Sequence, residues 1–163
     1  MDEKTKAFGV VPQDTLLSYD GLSFLKAIIA GDLPAPPITQ TLGFRLAAAD
    51  HGRAVFEGAP QFRHYNPIGV VHGGFAMTLL DSALGCAVHS TLAKGEAYTT
   101  LEVKINLVRP LTKETGPIAA EGRILHRGRT VGTAEGEIKD HAGKLYAHAT
   151  TTCIIFPAKN RPS

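Results

Sequence analysis

One carboxylate stands by itself in the apolar middle of this chain. Asp81 lies in the run Asn66–Leu92, and no Lys or Arg occurs between Asn66 and Lys94. From Phe75 to Val88 nearly every residue is apolar or small, the composition of a helix buried on most sides. A charge placed there without a partner is costly, so it either shifts its pKa or performs a task. Just upstream, His72-Gly73-Gly74 offers unpaired N–H groups at the positive end of the helix dipole, with glycines that let a ligand reach the backbone. A base and an anion-binding amide are what attack of water on a carbonyl needs. The plainer alternative is a core helix in which Asp81 bonds a local hydroxyl, Thr78 or Ser82.

Other constellations carry less. Seven histidines (51, 64, 72, 89, 126, 141 and 148) include no H-E-x-x-H and no pair at i, i+4, and Cys86 and Cys153 are distant in sequence, so no metal site is expected. A G-x-S-x-G serine elbow is absent. Gly128, Gly132 and Gly136 recur every four residues. They fit no nucleotide loop and mark bulges or places where the helix or a partner comes close. Arg127-Gly128-Arg129 suits phosphate oxygens, or else is a solvated turn.

These residues must be positioned by a single domain. The chain has 163 residues, 44% hydrophobic and 20% charged, with net charge +2, enough for a real core. Acids and bases are interspersed, so no nucleic-acid stripe is present. Two cysteines, no signal peptide and no membrane-length apolar run point to a cytoplasmic protein with reduced thiols.

In chain order, residues 1–17 read as loosely held. Asp20 caps a helix over Leu22–Ala30, Gly31 ends it, and Pro34–Ile38 is a stiff extended connector. Strands follow at Leu42–Ala48 and Arg53–Gly58, then the central helix, then strands at Tyr98–Val108, Ile118–His126, Thr130–Asp140 and Leu145–Phe156. In the first of these four, alternation sets Leu101, Val103, Ile105 and Leu107 on one face. Tight connections predict a four-strand antiparallel meander covered by the helix, an α+β fold in which the sheet wraps one central helix. The expected division is an extension at 1–39, a principal domain at 40–157 and a polar tail at 158–163.

The segment N-P-I-G-V-V-H-G-G-F-A-M-T-L-L-D, Asn66–Asp81, resembles the N-x-x-G-x-x-H-G-G-x(6)-D signature of hotdog-fold acyl-CoA thioesterases, most closely the phenylacetate-pathway (PaaI-like) branch. The layout over about residues 40–157 and the lead-in F-L-K-A-I-I-A-G-D-L-P-A-P-P-I are also similar. The resemblance implies a curved antiparallel sheet around the helix, homodimers whose sheets join, often paired again into homotetramers, and acyl-CoA hydrolysis without metal or redox cofactor. It implies Asp81 as general base or nucleophile, and the Gly73 N–H as the group that polarises the thioester carbonyl. His72 and Asn66 would organise the leaving thiol and the bound carbonyl or water. Thr100, reached by counting back ten residues from Pro110, would position water. Strict alternation puts Thr99 rather than Thr100 on the Leu101 face, so Thr100 requires a bulge. Gly74 and the Arg127-Gly128-Arg129 turn would meet CoA. Phe24, Phe62, Tyr65 and Met77 could line an aryl or a fatty-acyl pocket. The hydratase branch of the fold is disfavoured, because its D-x-N-P-x-H motif would fall on His64 and Gly69 here. A non-catalytic acyl-CoA sensor is the alternative of a different class.

Helix geometry adds an independent expectation. Asp81 lies seven residues beyond Gly74, ~10 Å along the axis at ~1.5 Å per residue. A base and an amide acting on one carbon must be far closer than that. Two copies related by a twofold axis can each donate one half, giving a dimer or dimer of dimers with sites at the interface.

Overall fold

The computed structural model describes residues 7–158. Helices α1 (Gln13–Ser18), α2 (Gly21–Ala30) and α3 (Pro37–Leu42) precede strands β1 (Phe44–Asp50) and β2 (Arg53–Gly58). The central helix α4 spans Gly73–His89, and strands β3 (Glu96–Leu107), β4 (Ile118–Arg127), β5 (Val131–Asp140) and β6 (Leu145–Pro157) complete the fold. All six strands form one antiparallel sheet in the order β1-β2-β4-β5-β6-β3. The fold is the expected α+β arrangement of a sheet wrapped on one helix.

The packing of α4 explains its composition. Leu79, Leu80, Ala83, Leu84, Ala87 and Val88 are all 0% exposed. Three strand glycines let the helix come this close. A Cβ on Gly122 would lie 2.8 Å from the Leu84 backbone nitrogen, one on Gly132 would lie 3.0 Å from Val88 Cγ1, and one on Gly136 would lie 3.1 Å from Leu84 Cδ2. The expectation that these glycines mark close approach of the helix holds at Gly132 and Gly136. Gly128 differs, lying against His126 Nε2 and the Val131 carbonyl, each 3.1 Å from its would-be Cβ.

Three sequence expectations need correction. The last four strands are not a simple meander, because β3 pairs with β6 and not with β4. The ten residues between β3 and β4 are too long for a hairpin, and Leu111 among them is buried and accepts the Val71 N–H at 2.9 Å. They pass beside the loop before α4, and β3 is left as an edge. Of the N-terminal residues read as loosely held, those from 7 to 17 are better held than expected, whereas residues 1–6, like 159–163 of the polar tail, lie outside the described residues. Phe8 bridges Ala35, the Gly9 and Ala35 N–H groups bond Ala35 and Ala7 carbonyls at 3.0 and 2.9 Å, and α1 forms over residues read as irregular. Asp20 does cap α2, accepting the Ser23 N–H at 2.9 Å, and Gly31 ends it at φ 79°. The connector is extended only to Pro36, since Pro37 opens α3 at a position where its missing N–H costs nothing.

Candidate active site

The N-terminus of α4 is built around His72. Its imidazole Nδ1 accepts the Gly74 N–H at 2.9 Å, and its carbonyl accepts the Phe75 N–H at 3.0 Å. An accepting Nδ1 is unprotonated, which leaves Nε2 as the ring's outward donor. Among the described residues the Gly73 N–H meets no acceptor. It opens into a small cleft of about 160 Å³ shared with His72, Leu107, Val108 and Tyr146. Of the two glycine amides proposed from sequence, Gly73 is therefore the free one. The Gly74 N–H is spent inside the protein, on His72.

Asn66 opens a tight loop just upstream. Its Oδ1 accepts the Ile68 N–H at 3.1 Å and its backbone N–H donates to Val70 at 2.9 Å, with Gly69 at φ 86° completing the turn. The Asn66 carbonyl and Oδ1 thus hold the loop that feeds His72, whose own N–H bonds the His64 carbonyl at 2.7 Å. No hydrogen bond joins Asn66 to Asp81 or Thr100 among the described residues.

Asp81 is exposed in the single chain, not buried as its apolar neighbours suggested. Neither local hydroxyl serves it: Thr78 and Ser82 donate instead to the Gly74 and Thr78 carbonyls, both at 2.8 Å. Its partner comes from β3, where Thr100 Oγ1 donates to Asp81 Oδ1 at 3.1 Å. The bulge that this assignment required is present. Register shifts between Thr100, opposite Cys153, and Glu102, opposite Thr152, and the Thr151 hydroxyl binds the Glu102 carbonyl at 2.6 Å. Thr99 faces outward, and Leu101 is 59% exposed rather than sharing a face with Val103.

Within one chain the two halves stay apart. Gly73 and Asp81 are eight residues apart on one straight helix, ~12 Å along its axis. Each sits by a different end of β3: a Cβ on Gly73 would lie 2.7 Å from Leu107 Cδ1, whereas Asp81 bonds Thr100.

The Arg127-Gly128-Arg129 turn divides. Arg127 is only 25% exposed at its side chain, pairs with Glu96 Oε2 at 2.6 Å and donates to the Gly128 carbonyl. Burial alone would raise the Glu96 carboxyl, but the Ala93 N–H and the Arg127 guanidinium outweigh it and hold it below its usual range. Arg127 is thus not the exposed cation expected from sequence; a partner 31 residues away claims it. Arg129 is exposed. The aromatic residues named for an acyl pocket also separate. Phe62, Tyr65 and Met77 lie toward the start of α4, Phe62 on Tyr65 at 5.5 Å, whereas Phe24 packs on His89 at its far end, at 5.3 Å. His89 and Tyr98 were missed. Their signal is spacing: His89 falls two helical turns after Asp81, and Tyr98 two residues before Thr100. A concavity of about 680 Å³ between Phe8, Arg45 and Asp140 contains none of these residues and lies away from the chemistry. Among the described residues no cluster of His, Cys, Asp and Glu could hold a metal ion, and no helix is long and apolar enough to cross a membrane.

Comparison with known proteins agrees with this fold. A family model described as the Thioesterase superfamily matches residues 68–147, from the loop before α4 into β6. A Saccharolobus solfataricus protein provisionally named an esterase is 35% identical over 135 residues, 83% of this chain and 94% of its own. Human acyl-coenzyme A thioesterase 13 is 27% identical over 130 residues, 78% of this chain and 91% of its own. A solved structure from Ralstonia eutropha JMP134, provisionally named a thioesterase related to phenylacetic acid degradation, aligns with a TM-score of 0.73 at 31% identity, over 80% of this chain and 98% of that one. With a sheet wrapped on one helix, an open glycine amide and an acid held by a strand hydroxyl, this chain belongs to the thioesterase superfamily, a thioester hydrolase on the hotdog fold.

Proposed function

We propose that the protein hydrolyses acyl-CoA thioesters at two equivalent sites, each shared between two copies of the chain. The observation that carries this reading is the Thr100–Asp81 hydrogen bond of 3.1 Å at the β3 bulge. It fixes a carboxylate at the surface of α4, beside an edge strand that lacks a partner on one side. Antiparallel pairing of two such edges about Val103–Lys104 sets Thr100 of one copy opposite Leu107 of the other, and Leu107 stands against Gly73. That pairing brings the open Gly73 amide of one copy toward Asp81 of the second. It also covers Leu101 and Leu107, 59% and 55% exposed in the single chain.

In this arrangement Asp81 takes a proton from water as the water oxygen attacks the thioester carbonyl carbon. Thr100 holds the carboxylate, and the Gly73 N–H stabilises the oxyanion. The C–S bond then breaks, the thiolate of CoA takes up the proton, and the free acid leaves. The alternative path, direct attack by Asp81 followed by hydrolysis of the mixed anhydride, uses the same groups. His72 presents Nε2–H toward the leaving sulfur while its Nδ1 keeps Gly74 in place. The Asn66 side-chain NH₂ supplies a further donor to the bound carbonyl or water. The carboxylate and the amide supply the chemistry, CoA enters as part of the substrate, and no metal or redox cofactor is required. The free thiols Cys86 and Cys153 suit the cytoplasm.

Complementation tests the shared site. Asp81→Asn and Gly73→Pro are each expected to be inactive, the second because it removes the N–H at a first helical position that tolerates proline. Co-refolded mixtures should recover part of the activity through hybrid dimers. No recovery, with subunit exchange demonstrated by tagged copies, refutes the shared site.

A further inference from the structure

Along the seam between α4 and β3 the facing residues stand in successive rungs. Asp81 and Thr100 make the first. One turn on, Gly85 faces Tyr98, which lies two residues from Thr100 on the same side of β3, ahead of the bulge. A further turn brings His89, whose ring meets Tyr98 edge-on at 5.6 Å and Phe24 of α2 at 5.3 Å.

The tip of Tyr98 rests on bare backbone. A Cβ at Gly85 would lie 2.8 Å from the Tyr98 hydroxyl and 3.2 Å from Cε2, so the phenol fills the space a side chain would take. Burial, and after it the Cys86 and Cys153 thiols and the Asp81 carboxylate, raise this phenol well above its ordinary value, so the ring senses the acid one rung away. On its other side the ring lines a cavity of about 310 Å³ beneath the N-terminal arm, walled also by Leu16, Leu17, Phe24, Ile28 and His89. That volume lies at the lower end of the range for small-molecule pockets. Among the described residues the Tyr98 hydroxyl has no hydrogen-bond partner. Packing alone holds the ring between the acid and the cavity.

We infer that Tyr98 is the floor of the acyl pocket, limiting the acyl group to about one helical turn, ~5 Å, beyond the carbon attacked at Asp81, and that the cavity under the N-terminal arm lies in line behind it, closed to substrate while the ring is in place. The inference rests on the hydrolase reading above and specifies its substrates: straight-chain acyl groups are accepted short and refused long. In this reading the ring is the barrier between the two spaces, so its removal joins them.

The test is kcat/KM across butyryl-, hexanoyl-, decanoyl- and tetradecanoyl-CoA for the wild type, Tyr98→Phe, Tyr98→Ala and Tyr98→Ala combined with Leu17→Trp. The wild type should favour the short chains. Tyr98→Phe should keep that profile, because the ring and not the hydroxyl is the barrier. Tyr98→Ala should raise the decanoyl-to-butyryl ratio by about tenfold or more, the scale on which apolar pockets discriminate methylenes. Adding Leu17→Trp, which refills the cavity, should bring the ratio back toward that of the wild type. Should Tyr98→Ala fail to fold, Tyr98→Leu, shorter than the ring but still apolar, reads the same ratio. Equal loss on long and short chains, an unmoved profile in a folded variant, or a wild type that already prefers long chains overturns the inference. A folded wild type that cleaves no acyl-CoA in the series refutes the hydrolase reading instead, which separates the two failures.

Discussion

The two ends of α4 are treated in opposite ways. At the C-terminal end the hydroxyls of Ser90 and Thr91 and the Leu92 carbonyl are all occupied. The Ser90 hydroxyl donates to the Ala87 carbonyl at 2.7 Å and accepts the Gly52 N–H at 2.8 Å, the Thr91 hydroxyl binds the Val88 carbonyl at 2.7 Å, and the Leu92 carbonyl takes the Gly21 N–H at 2.9 Å. At the N-terminal end one amide, on Gly73, is left open beside a cleft. Helix ends that serve only stability are closed by such bonds. One left open beside a cleft is an end kept for a ligand, and function and stability should therefore separate along this helix.

The largest test of that separation is Asp81→Asn, an exposed change that removes the proposed base. It should lower kcat by about 10²–10⁴ and leave the melting temperature within a degree or two of wild type, read by calorimetry beside thiol-release kinetics. Wild-type turnover would remove the functional half of the contrast. Ser90→Ala should do the reverse. It strands the buried Gly52 N–H, costs about 1–3 kcal/mol in denaturant unfolding and leaves turnover unchanged. A large kcat effect there would show that the closed end is not merely structural.

Titration sharpens the same contrast at His89, in the last turn of α4. Burial lowers this imidazole from 6.5 to about 4. Because the folded form resists protonation more than the unfolded chain, the stability contributed by neutral His89 is full above about 6.5. It is lost as pH falls through the window from 6.5 toward 4. His89→Leu should flatten the loss over that window in unfolding free energies measured against pH; an unchanged slope would place the acid sensitivity elsewhere. The smallest effects are expected at the arginine turn. Arg129→Ala should raise KM a few-fold for acyl-CoA but not for a short acyl-pantetheine thioester, with kcat unmoved. Arg127→Ala should instead lower stability, because it leaves Glu96 without its guanidinium. Equal KM effects on both substrates would make Arg129 part of a solvated turn only.

What the sequence reveals follows the range of the interactions. Local signals were legible: the Asp20 cap and the Gly31 stop of α2, the His72-Gly73-Gly74 start of α4, and most strand limits. Thr100 came from the family resemblance and not from the alternation, which pointed to Thr99; the bulge it required is present. The β3–β6 pairing was not legible, because it joins segments forty or more residues apart and the chain offers no turn between them. Asp81 was misread as buried for a related reason. A helix of mostly alanine, glycine and leucine hides a narrow outer stripe, and Met77 and Asp81 occupy it at i, i+4. Arg127 looked free because its partner, Glu96, lies in another strand.

The bulge in β3 gives that strand two phases. Before it, the even-numbered Tyr98 and Thr100 point toward the helix; after it, the odd-numbered Val103 and Ile105 do, with Leu101 and Glu102 both outward between them. The residues that face the acid and those that fill the core are thus set by separate counts along one strand, and either set can vary without rotating the other. Deleting Leu101 would merge the counts. The strand would then alternate regularly, with Thr100, Val103 and Ile105 all still on the helix side, so the residues facing the acid and those filling the core could vary only together.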